Sequence, residues 1–304
     1  MDKSLLGSLA AIVGEENVRP LEPLAPHTTF KIGGPVDAFV SPRSVEEVSR
    51  VVCACEQASV PWRVIGCGSD LLVSDEGVEG VVIEVRDNLS TIRVDGTRIV
   101  AGAGATNAAV AEAACAAGLS GYEFACGIPG TVGGAAIMNA GAYDGEFSQV
   151  CACVTCVTPE GRIVAVPREE AEWSYRHSMF GAAHYVVVAA TLELTLADSA
   201  DIRARMDELT AKREAKQPID MPSAGSTFKR PEGHFAAALI DQAGLKGLSI
   251  GGAQVSTKHT GFIVNADDAT SADVQALIAE VQRRVLESSG VALEPEVRMW
   301  GREA

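Results

Sequence analysis

The sequence predicts an α+β or α/β protein built in three parts. Segments with helical spacing of apolar residues interleave with short apolar or alternating segments along the whole chain. The pair Asp95-Gly96 lies between the stretches TIRV and TRIV and indicates a β-hairpin. With 304 residues, the chain is long enough for one large domain or for two to three smaller ones.

In the first part, residues 44–85 have the pattern of a β-α-β unit. Ser44, with Glu47 three residues later, forms a predicted capping box at the start of a helix. Strands are predicted at 62–66 and 81–85, with the loop CGSD after the first of them. The apolar residues that mark one face of the helix are Val45, Val48, Val51, Val52 and Cys55.

The second part is predicted to run from residue 86 to residue 198. After the hairpin come a helix over 107–117, a glycine-dense segment at 127–145, a strand pair around 159–161 and a strand at 185–194.

A charged helix over 199–216, followed by Pro218, is predicted to connect to the third part. That part contains a strand at 261–265, an amphipathic helix at 271–288 and a closing strand at 291–299, where apolar and polar residues alternate. We therefore expect three domains, at 1–85, 86–198 and 199–304.

Composition and charge limit the partners of the chain. Apolar residues make up 47% and charged residues 21%, which is typical of folded proteins. The net charge of −15 repels nucleic acid and anionic lipid, so we expect neither as a partner. No run approaches the roughly 18 apolar residues of a membrane span, and the N-terminus does not resemble a signal peptide. We therefore expect a cytoplasmic protein whose 8 cysteines are reduced thiols.

Three glycine-rich segments, 66–70, 102–104 and 127–134, each follow a predicted strand. Residues without a Cβ let backbone N–H groups converge on phosphate oxygens, although plain tight turns have the same composition. None ends in the Gly-Lys-Ser/Thr of a P-loop, and Asn107 stands where a dinucleotide fingerprint has its third glycine. Two such loops converging on one pyrophosphate favour a large dinucleotide such as FAD.

The loop SAGSTFKRP (223–231) combines hydroxyls, a glycine and two adjacent cations. Lys229 and Arg230, together with Lys258 and His259, could form the positively charged site that a phosphorylated substrate needs. The alternative is an ordinary solvated loop.

Six segments taken together resemble one family. Their order and spacing are similar to those of UDP-N-acetylenolpyruvoylglucosamine reductases, over essentially the whole chain. Because no tyrosine-bearing insertion fits between GIPG and YRHS, the chain resembles the shorter, second type of this family. The segments are TTFKIGGPVDAF (28–39), VIGCGSDLLVSD (64–75), GIPGTVGGAAIMNAGAY (127–143), YRHS (175–178), SAGSTFKRP (223–231) and LEPEVR (293–298).

The resemblance implies an α+β fold with two FAD-binding subdomains of the vanillyl-alcohol-oxidase type, at 1–85 and 86–198. A C-terminal substrate-binding domain at 199–304, with its connecting helix 199–216, would close over the substrate. The implied cofactors are bound FAD and NADPH, a transient donor, and the implied state is a monomer. The implied reaction converts the enolpyruvyl ether of UDP-N-acetylglucosamine to UDP-N-acetylmuramate, a precursor of peptidoglycan, by hydride transfer from flavin N5.

Carried over by motif, Ser226 would donate the proton, while Arg176 and Glu296 would stabilise the charge that develops on the enol. A carboxyl group donates a hydrogen bond only when it is protonated, and burial favours that form. Glu296 is assigned by its place before Val-Arg, although Glu294 would share its face on a regular strand.

The resemblance also implies the binding residues. Those for FAD are Gly66, Cys67, Gly68, Ser69, Asp70, Gly127, Ile128, Pro129, Gly130, Thr131, Gly133, Gly134, Asn139, Ala140 and Gly141. Those for substrate are Tyr175, Ser178, Lys229, Arg230, Lys258 and His259. Three residues depart from the family pattern. Cys67 replaces a glycine, Asp70 replaces an asparagine with loss of an amide donor, and Arg230 stands where asparagine is common.

Two other functions remain open. A different flavoenzyme of this fold, such as an oxidase that reacts with oxygen, would keep the glycine loops but would not need YRHS and LEPEVR. A non-catalytic FAD-binding or electron-transfer subunit could lose Ser226 without cost, so its presence favours an enzyme. We expect no metal, because Cys151, Cys153 and Cys156 have no fourth ligand at suitable spacing.

Overall fold

The computed structural model describes residues 2–302. The helices are α1 (Lys3–Val13), α2 (Val45–Gln57), α3 (Asn107–Ala116), α4 (Val132–Met138), α5 (Phe147–Val150), α6 (Met179–Ala182), α7 (Ser199–Lys216), α8 (Ala236–Gln242) and α9 (Ser271–Ser289). The strands are β1 (Val18–Pro23), β2 (Pro35–Val40), β3 (Trp62–Ile65), β4 (Leu71–Val73), β5 (Val78–Glu84), β6 (Ile92–Asp95), β7 (Arg98–Gly102), β8 (Leu119–Ser120), β9 (Gly141–Ala142), β10 (Gly145–Glu146), β11 (Cys151–Val157), β12 (Ile163–Pro167), β13 (Val186–Glu193), β14 (Thr195–Leu196), β15 (Ser249–Ile250), β16 (Ala253–Val255), β17 (Ile263–Asn265) and β18 (Arg298–Trp300). No helix within 2–302 is both long and apolar enough to cross a membrane.

The chain divides into two compact units, each with its own hydrophobic core. The first unit consists of the chain up to Pro20, Ala38–Cys67 and Gly80–Arg213. The second consists of Leu21–Asp37, Gly68–Glu79 and the chain from Glu214 onward. The finer division into domains at 1–85, 86–198 and 199–304 stays a prediction.

Most strand residues of the first unit belong to two sheets. One has the order β1-β2-β5-β3, in which β3 and β5 are parallel, and the other is antiparallel with the order β12-β11-β13-β7-β6. Asp95 pairs with Arg98 across the turn between β6 and β7, which confirms the predicted hairpin.

The start of α2 confirms half of the predicted capping box. Ser44 Oγ accepts a hydrogen bond from the Glu47 backbone N–H at 3.2 Å, and the predicted face of α2 is buried from Val48 to Cys55. The prediction of the reciprocal bond, from the Ser44 backbone N–H to the Glu47 side chain, is wrong. The Glu47 carboxylate instead accepts from the Arg43 backbone N–H at 2.7 Å and pairs with its guanidinium at 2.8 Å, because a charged donor is the stronger partner.

The cysteines of β11 do not share one environment. Cys151 and Cys156 are buried, whereas Cys153 is half-buried, since the pairing with β13 shifts register between Cys151 and Cys153. Across residues 2–302, no group of three or more His, Cys, Asp or Glu side chains is placed to hold a metal ion.

We expect the thiols of Cys55 and Cys151 to resist Ellman's reagent in the folded protein at pH 8. Burial raises the pKa of both thiols to about 12, so the reactive thiolate is nearly absent until far higher pH. Unfolding in guanidinium chloride should expose both thiols, and peptide mass spectrometry would identify the labelled sites. Half-buried Cys53 is the internal comparison, and rapid labelling of Cys151 in the native protein would contradict its burial.

The second unit is a small α+β arrangement. Side chains from α8, α9 and the antiparallel sheet β15-β16-β17 form its core, and β18 pairs with β4 in parallel. The closing strand predicted at 291–299 is wrong in extent, because only Arg298–Trp300 forms β18. Pro295 makes an isolated bridge with Phe228, and a proline has no N–H to continue a ladder.

Asp75 ends the motif at 64–75 and caps a helix distant in sequence. Its carboxylate accepts hydrogen bonds from the backbone N–H groups of Ser271 at 2.8 Å and Ala272 at 3.2 Å, at the start of α9.

We expect Asp75→Ala to lower the free energy of unfolding by about 1–2 kcal/mol, measured by urea denaturation. Asp267→Ala removes an exposed carboxylate in the same unit and should change it by less than about 0.5 kcal/mol. Equal losses in the two variants would contradict the capping role.

Candidate functional site

The start of the first glycine-rich segment, at Gly66, comes together with the other two segments in the first unit. A Cβ at Gly66 would lie 2.5 Å from Thr131 Oγ1, so the first loop approaches the second closely enough to require glycine. The backbone N–H groups of Val132 and Gly133 donate to the carbonyls of Ala105 and Ala103, both at 2.9 Å, which joins the second loop to the turn after β7.

These bonds also show which groups of the second loop are occupied. The N–H groups of Ile128, Val132 and Gly133 are used within the protein, and Pro129 has none. The better candidates for phosphate oxygens are therefore the N–H groups at 127, 130 and 131. Thr131 is buried and caps α4, with its Oγ1 accepting from the Gly134 N–H at 3.4 Å. Contact of each loop residue with FAD stays a prediction.

The rest of the first loop is held differently. Cys67 is half-buried, and burial raises the pKa of its thiol, so the replacement of glycine adds a neutral group. Gly68, Ser69 and Asp70 belong to the second unit. There the carbonyls of Gly68 and Asp70 accept from the backbone N–H groups of Thr29 at 3.2 Å and Arg298 at 2.9 Å.

Asn139 ends α4 in a left-handed conformation, with φ of +42°. Its Nδ2 donates to the Ser174 carbonyl at 3.2 Å and to Glu146 Oε2 at 3.0 Å, while its Oδ1 accepts from the Ser148 N–H at 2.9 Å. These contacts occupy the amide and attach the YRHS segment to the end of α4. Asn139 therefore acts at least as a positioning residue, while its contact with FAD, and that of Ala140 and Gly141, stays a prediction.

YRHS and the residues just before it are held against α4 at two further points. Trp173 Nε1 donates to the Ala136 carbonyl at 3.1 Å, and Ser178 Oγ donates to the Ile137 carbonyl at 2.8 Å. Ser178 is buried, so its hydroxyl holds the backbone. Its contact with substrate stays a prediction.

Arg176 lies in a tight turn on this segment. Ser174 and His177 exchange two backbone hydrogen bonds of 3.2 Å, and Arg176 between them has φ of +56°. Such a conformation costs a non-glycine residue roughly 1–2 kcal/mol, and strain of this kind is concentrated at functional sites. The guanidinium lies 4.7 Å from the centre of the Tyr175 ring, which is itself 47% exposed.

The second unit brings Ser226 and Glu296 together. The Glu296 backbone N–H donates to the Thr227 carbonyl at 2.8 Å, and the Lys229 N–H donates to the Glu294 carbonyl at 2.9 Å. The segments SAGSTFKRP and LEPEVR therefore run antiparallel. Buried Thr227 fixes the first of them, since its N–H donates to the Gly261 carbonyl at 2.8 Å and its Oγ1 accepts from the Ile263 N–H at 2.9 Å.

The two candidate carboxylates differ in their surroundings. Glu294 is exposed and forms an ion pair with the Lys229 ammonium, whereas Glu296 is half-buried. Ser226 is exposed beside Gly225, which has φ of +74°. These differences favour Glu296 over Glu294 as the carboxyl group near Ser226.

The predicted basic residues are not equivalent. Lys229 is neutralised by Glu294, while the Arg230 guanidinium lies 4.0 Å from the centre of the exposed Phe235 ring. His259 packs edge-on against Phe262 with ring centres 5.0 Å apart, and burial lowers the pKa of its imidazole. Near neutral pH, His259 therefore offers a neutral hydrogen-bonding group instead of a charge.

One residue beside the glycine loops was missed in the sequence. Arg213 extends the buried stripe of α7 formed by Ile202, Met206 and Leu209, and its side chain lies against Gly127. The helical spacing of 202, 206, 209 and 213 could have indicated an inward-facing arginine.

The joined loops fit a flavin nucleotide. A Cβ at Gly66 would collide with the Thr131 side chain, and one at Gly127 would contact the Arg213 side chain, so both glycines let other groups approach the backbone closely. A loop of this kind suits a pyrophosphate approached by backbone N–H groups.

Two family models match separate parts of the chain. One, described as an FAD binding domain, matches residues 36–167, and one described as the C-terminal domain of UDP-N-acetylenolpyruvoylglucosamine reductase matches residues 217–300. Together with the joined glycine loops, the two matches define the chain as an FAD-dependent oxidoreductase.

Relatives at high identity specify the class further. UDP-N-acetylenolpyruvoylglucosamine reductase of Clostridium botulinum is 46% identical over 301 residues, which is 99% of this chain and 98% of that protein. The enzyme of Listeria welshimeri is 49% identical over 282 residues, or 93% and 95% of the two chains. This chain therefore belongs to the UDP-N-acetylenolpyruvoylglucosamine reductase family.

Solved structures confirm the fold class. The crystal structure of the reductase from Thermus caldophilus has a TM-score of 0.80 and 36% identity, covering 92% of this chain and 97% of that one. Phl p 4.0202, a glucose dehydrogenase, has a TM-score of 0.53 at 14% identity, and the match covers 95% of this chain and 64% of that chain. The second likeness shows the fold alone. An α+β, FAD-binding fold is thus confirmed.

Proposed function

We propose that this chain is an NADPH-dependent reductase of the enolpyruvyl ether of UDP-N-acetylglucosamine. The product is UDP-N-acetylmuramate, a precursor of peptidoglycan, made in the cytoplasm by a monomeric enzyme. Membership of the family supports this reaction. The observation that carries it is the 2.8 Å bond from the Glu296 N–H to the Thr227 carbonyl, which aligns two separate motifs with Ser226 and Glu296 on neighbouring segments.

When held by the loops at 66–70 and 127–134, FAD would supply a hydride, drawn from NADPH, to the vinyl methylene carbon. Ser226 Oγ donates the proton to the adjacent carbon, which completes the addition of two hydrogens across the double bond. Because the hydroxyl of Ser226 is exposed in the second unit, it can recover a proton from water.

Arg176 and Glu296 act on the charge that forms during this addition. Hydride arrival places negative charge on the enol and its carboxylate, and preorganised donors lower the barrier most when they are aimed at that charge. The strained turn holds the Arg176 guanidinium beside Tyr175, so less reorganisation is needed when it binds a carboxylate. Glu296 contributes a hydrogen bond when its carboxyl group is protonated.

The remaining residues would bind the nucleotide part of the substrate. Arg230 and Lys258 offer positive charge to the diphosphate, His259 offers a neutral donor, and Tyr175 offers an exposed ring. Lys229 contributes only if a phosphate displaces Glu294 from its ion pair. The FAD contacts are proposed for the loops at 66–70 and 127–134 and for 139–141.

The test is an anaerobic spectral titration of the purified protein. A yellow protein that bleaches with NADPH and recovers its colour only on addition of the ether supports flavin, donor and acceptor together. A protein that bleaches but ignores the ether would be another flavoenzyme or an electron-transfer subunit, and recovery with oxygen alone would indicate an oxidase. A colourless protein that FAD does not reconstitute would refute the proposal.

A further inference from the structure

Arg213 differs from Arg203, Arg205 and Lys212 of the same helix. Arg203, Arg205 and Lys212 each form an ion pair with a glutamate at the surface. Arg213 is half-buried on the inward face of the helix. Within the part of the chain that the structure describes, its guanidinium forms no hydrogen bond and no ion pair.

The side chain lies across the first residue of the second glycine loop. A Cβ at Gly127 would be 3.0 Å from Cδ of Arg213, 3.9 Å from Nε and 4.0 Å from Nη1. Glycine at residue 127 therefore makes room for this arginine, and any side chain there would displace the guanidinium from the loop.

The groups around the guanidinium do not neutralise it. The two that act on it electrostatically are the phenol of Tyr143 and the thiol of Cys126, and neither is a carboxylate, the strong partner of a guanidinium. Both are also bonded to the backbone of α7: Tyr143 donates to the Leu209 carbonyl at 3.3 Å, and Cys126 donates to the Met206 carbonyl at 3.7 Å.

A charge withdrawn from water without a counter-charge is unfavourable. Burial accordingly lowers the pKa of Arg213, yet a guanidinium stays protonated near neutral pH. The position therefore suits an anionic partner, which residues 2–302 do not supply. Because the position borders the loop proposed to hold FAD, the bound flavin is the nearest source of such a partner.

FAD has two groups that can carry negative charge, the pyrophosphate and the reduced flavin ring system. The point where Gly66 meets Thr131 joins two glycine loops and suits the pyrophosphate, which carries its charge in both oxidation states. Gly127 is at the other end of the loop, four residues before Thr131. Arg213 lies beside Gly127. The flavin ring system is neutral when oxidised and gains one negative charge when it accepts a hydride from NADPH, which leaves as NADP⁺.

We propose that the guanidinium of Arg213 binds the flavin ring system and offsets the negative charge that this ring gains on accepting a hydride. The inference rests on the proposed function, since it requires bound FAD. Arg213 is then a cofactor-binding residue that favours the reduced over the oxidised form.

The test measures the midpoint potential of the bound flavin, by equilibration with a reference dye, in the FAD-loaded enzyme and its variants. Arg213→Met removes the charge but keeps a long apolar stem over Gly127. We expect reduced flavin to lose at least tenfold in affinity relative to oxidised flavin, which lowers the potential by about 30 mV for a two-electron couple. Arg213→Lys should lie between the wild type and the Met variant, and Arg203→Met, which removes a surface charge of the same helix, should not change the potential.

Dissociation constants for oxidised FAD, from quenching of its fluorescence, separate the alternatives. Equal loss of affinity for both oxidation states would place the pyrophosphate at Arg213 and overturn the proposal. An unchanged potential, with only a raised KM for the enolpyruvyl ether, would place the substrate there and overturn it as well. If the Met variant does not fold, the potential of Arg213→Lys decides, and a value equal to the wild type would refute the proposal. Failure of the wild type to bind FAD would instead refute the proposed function.

Discussion

Ser226→Ala should still be bleached by NADPH at the wild-type rate, but its colour should return about 10²–10⁴-fold more slowly when the enolpyruvyl ether is added. The variant lacks the proton that must reach the carbon next to the site of hydride addition. The exposed position of Ser226 means that its loss leaves the core of the second unit intact. Stopped-flow absorbance of the two half-reactions, recorded separately, measures the effect.

Ser223→Ala is the matched control because it removes a hydroxyl from the same loop. The Ser223 carbonyl accepts from Thr29 Oγ1 at 2.6 Å, and that contact survives the substitution. Ser226→Cys retains an acidic proton and should recover part of the rate. Wild-type reoxidation in Ser226→Ala would remove this residue from the reaction.

Arg176→Gly should separate activity from stability. Loss of the guanidinium should lower turnover of the ether by about 10²–10³-fold, in the range found when one donor to a developing oxyanion is removed. The free energy of unfolding should change by less than about 1 kcal/mol, because glycine relieves the left-handed strain at φ of +56° while the exposed stacking on Tyr175 is lost. Steady-state kinetics and urea denaturation measure the two quantities.

His184→Gly is the control for this pair of effects. His184 is exposed, has φ of +53° and lies outside the proposed machinery. This variant should be slightly more stable than the wild type and should turn over normally. Normal turnover in Arg176→Gly, or a large loss of stability there, would contradict the role given to Arg176.

Local features were predictable because they depend on residues close in sequence. The charged helix at 199–216, the helix at 107–117 and the hairpin at Asp95-Gly96 all agree with the structure within a residue or two. Helical periodicity and turn chemistry act over about four residues, so a single sequence contains the whole signal. The order of the six motifs was likewise sufficient to identify the family.

Contacts between distant residues were decided only by the tertiary structure. Asp75 lies in a motif associated with FAD, yet its carboxylate caps α9 almost two hundred residues later. The pairing of Lys229 with Glu294 distinguishes two glutamates that a regular strand would make equivalent. Periodicity assigns a residue to a face but does not reveal what lies opposite that face.

The sequence by itself determined the family and the class of cofactor and predicted the candidate catalytic groups, because short motifs at characteristic spacing contain this information. Only the tertiary structure decided which polar groups are already occupied, as in Asn139 and Ser178, and which charge has no counter-charge among residues 2–302, as in Arg213. The physical reason is that hydrogen bonding and desolvation depend on atoms brought together by folding. A helix pattern could therefore indicate that Arg213 faces inward, while its surroundings of Gly127, Cys126 and Tyr143, with no counter-charge in the described part of the chain, became visible only after folding.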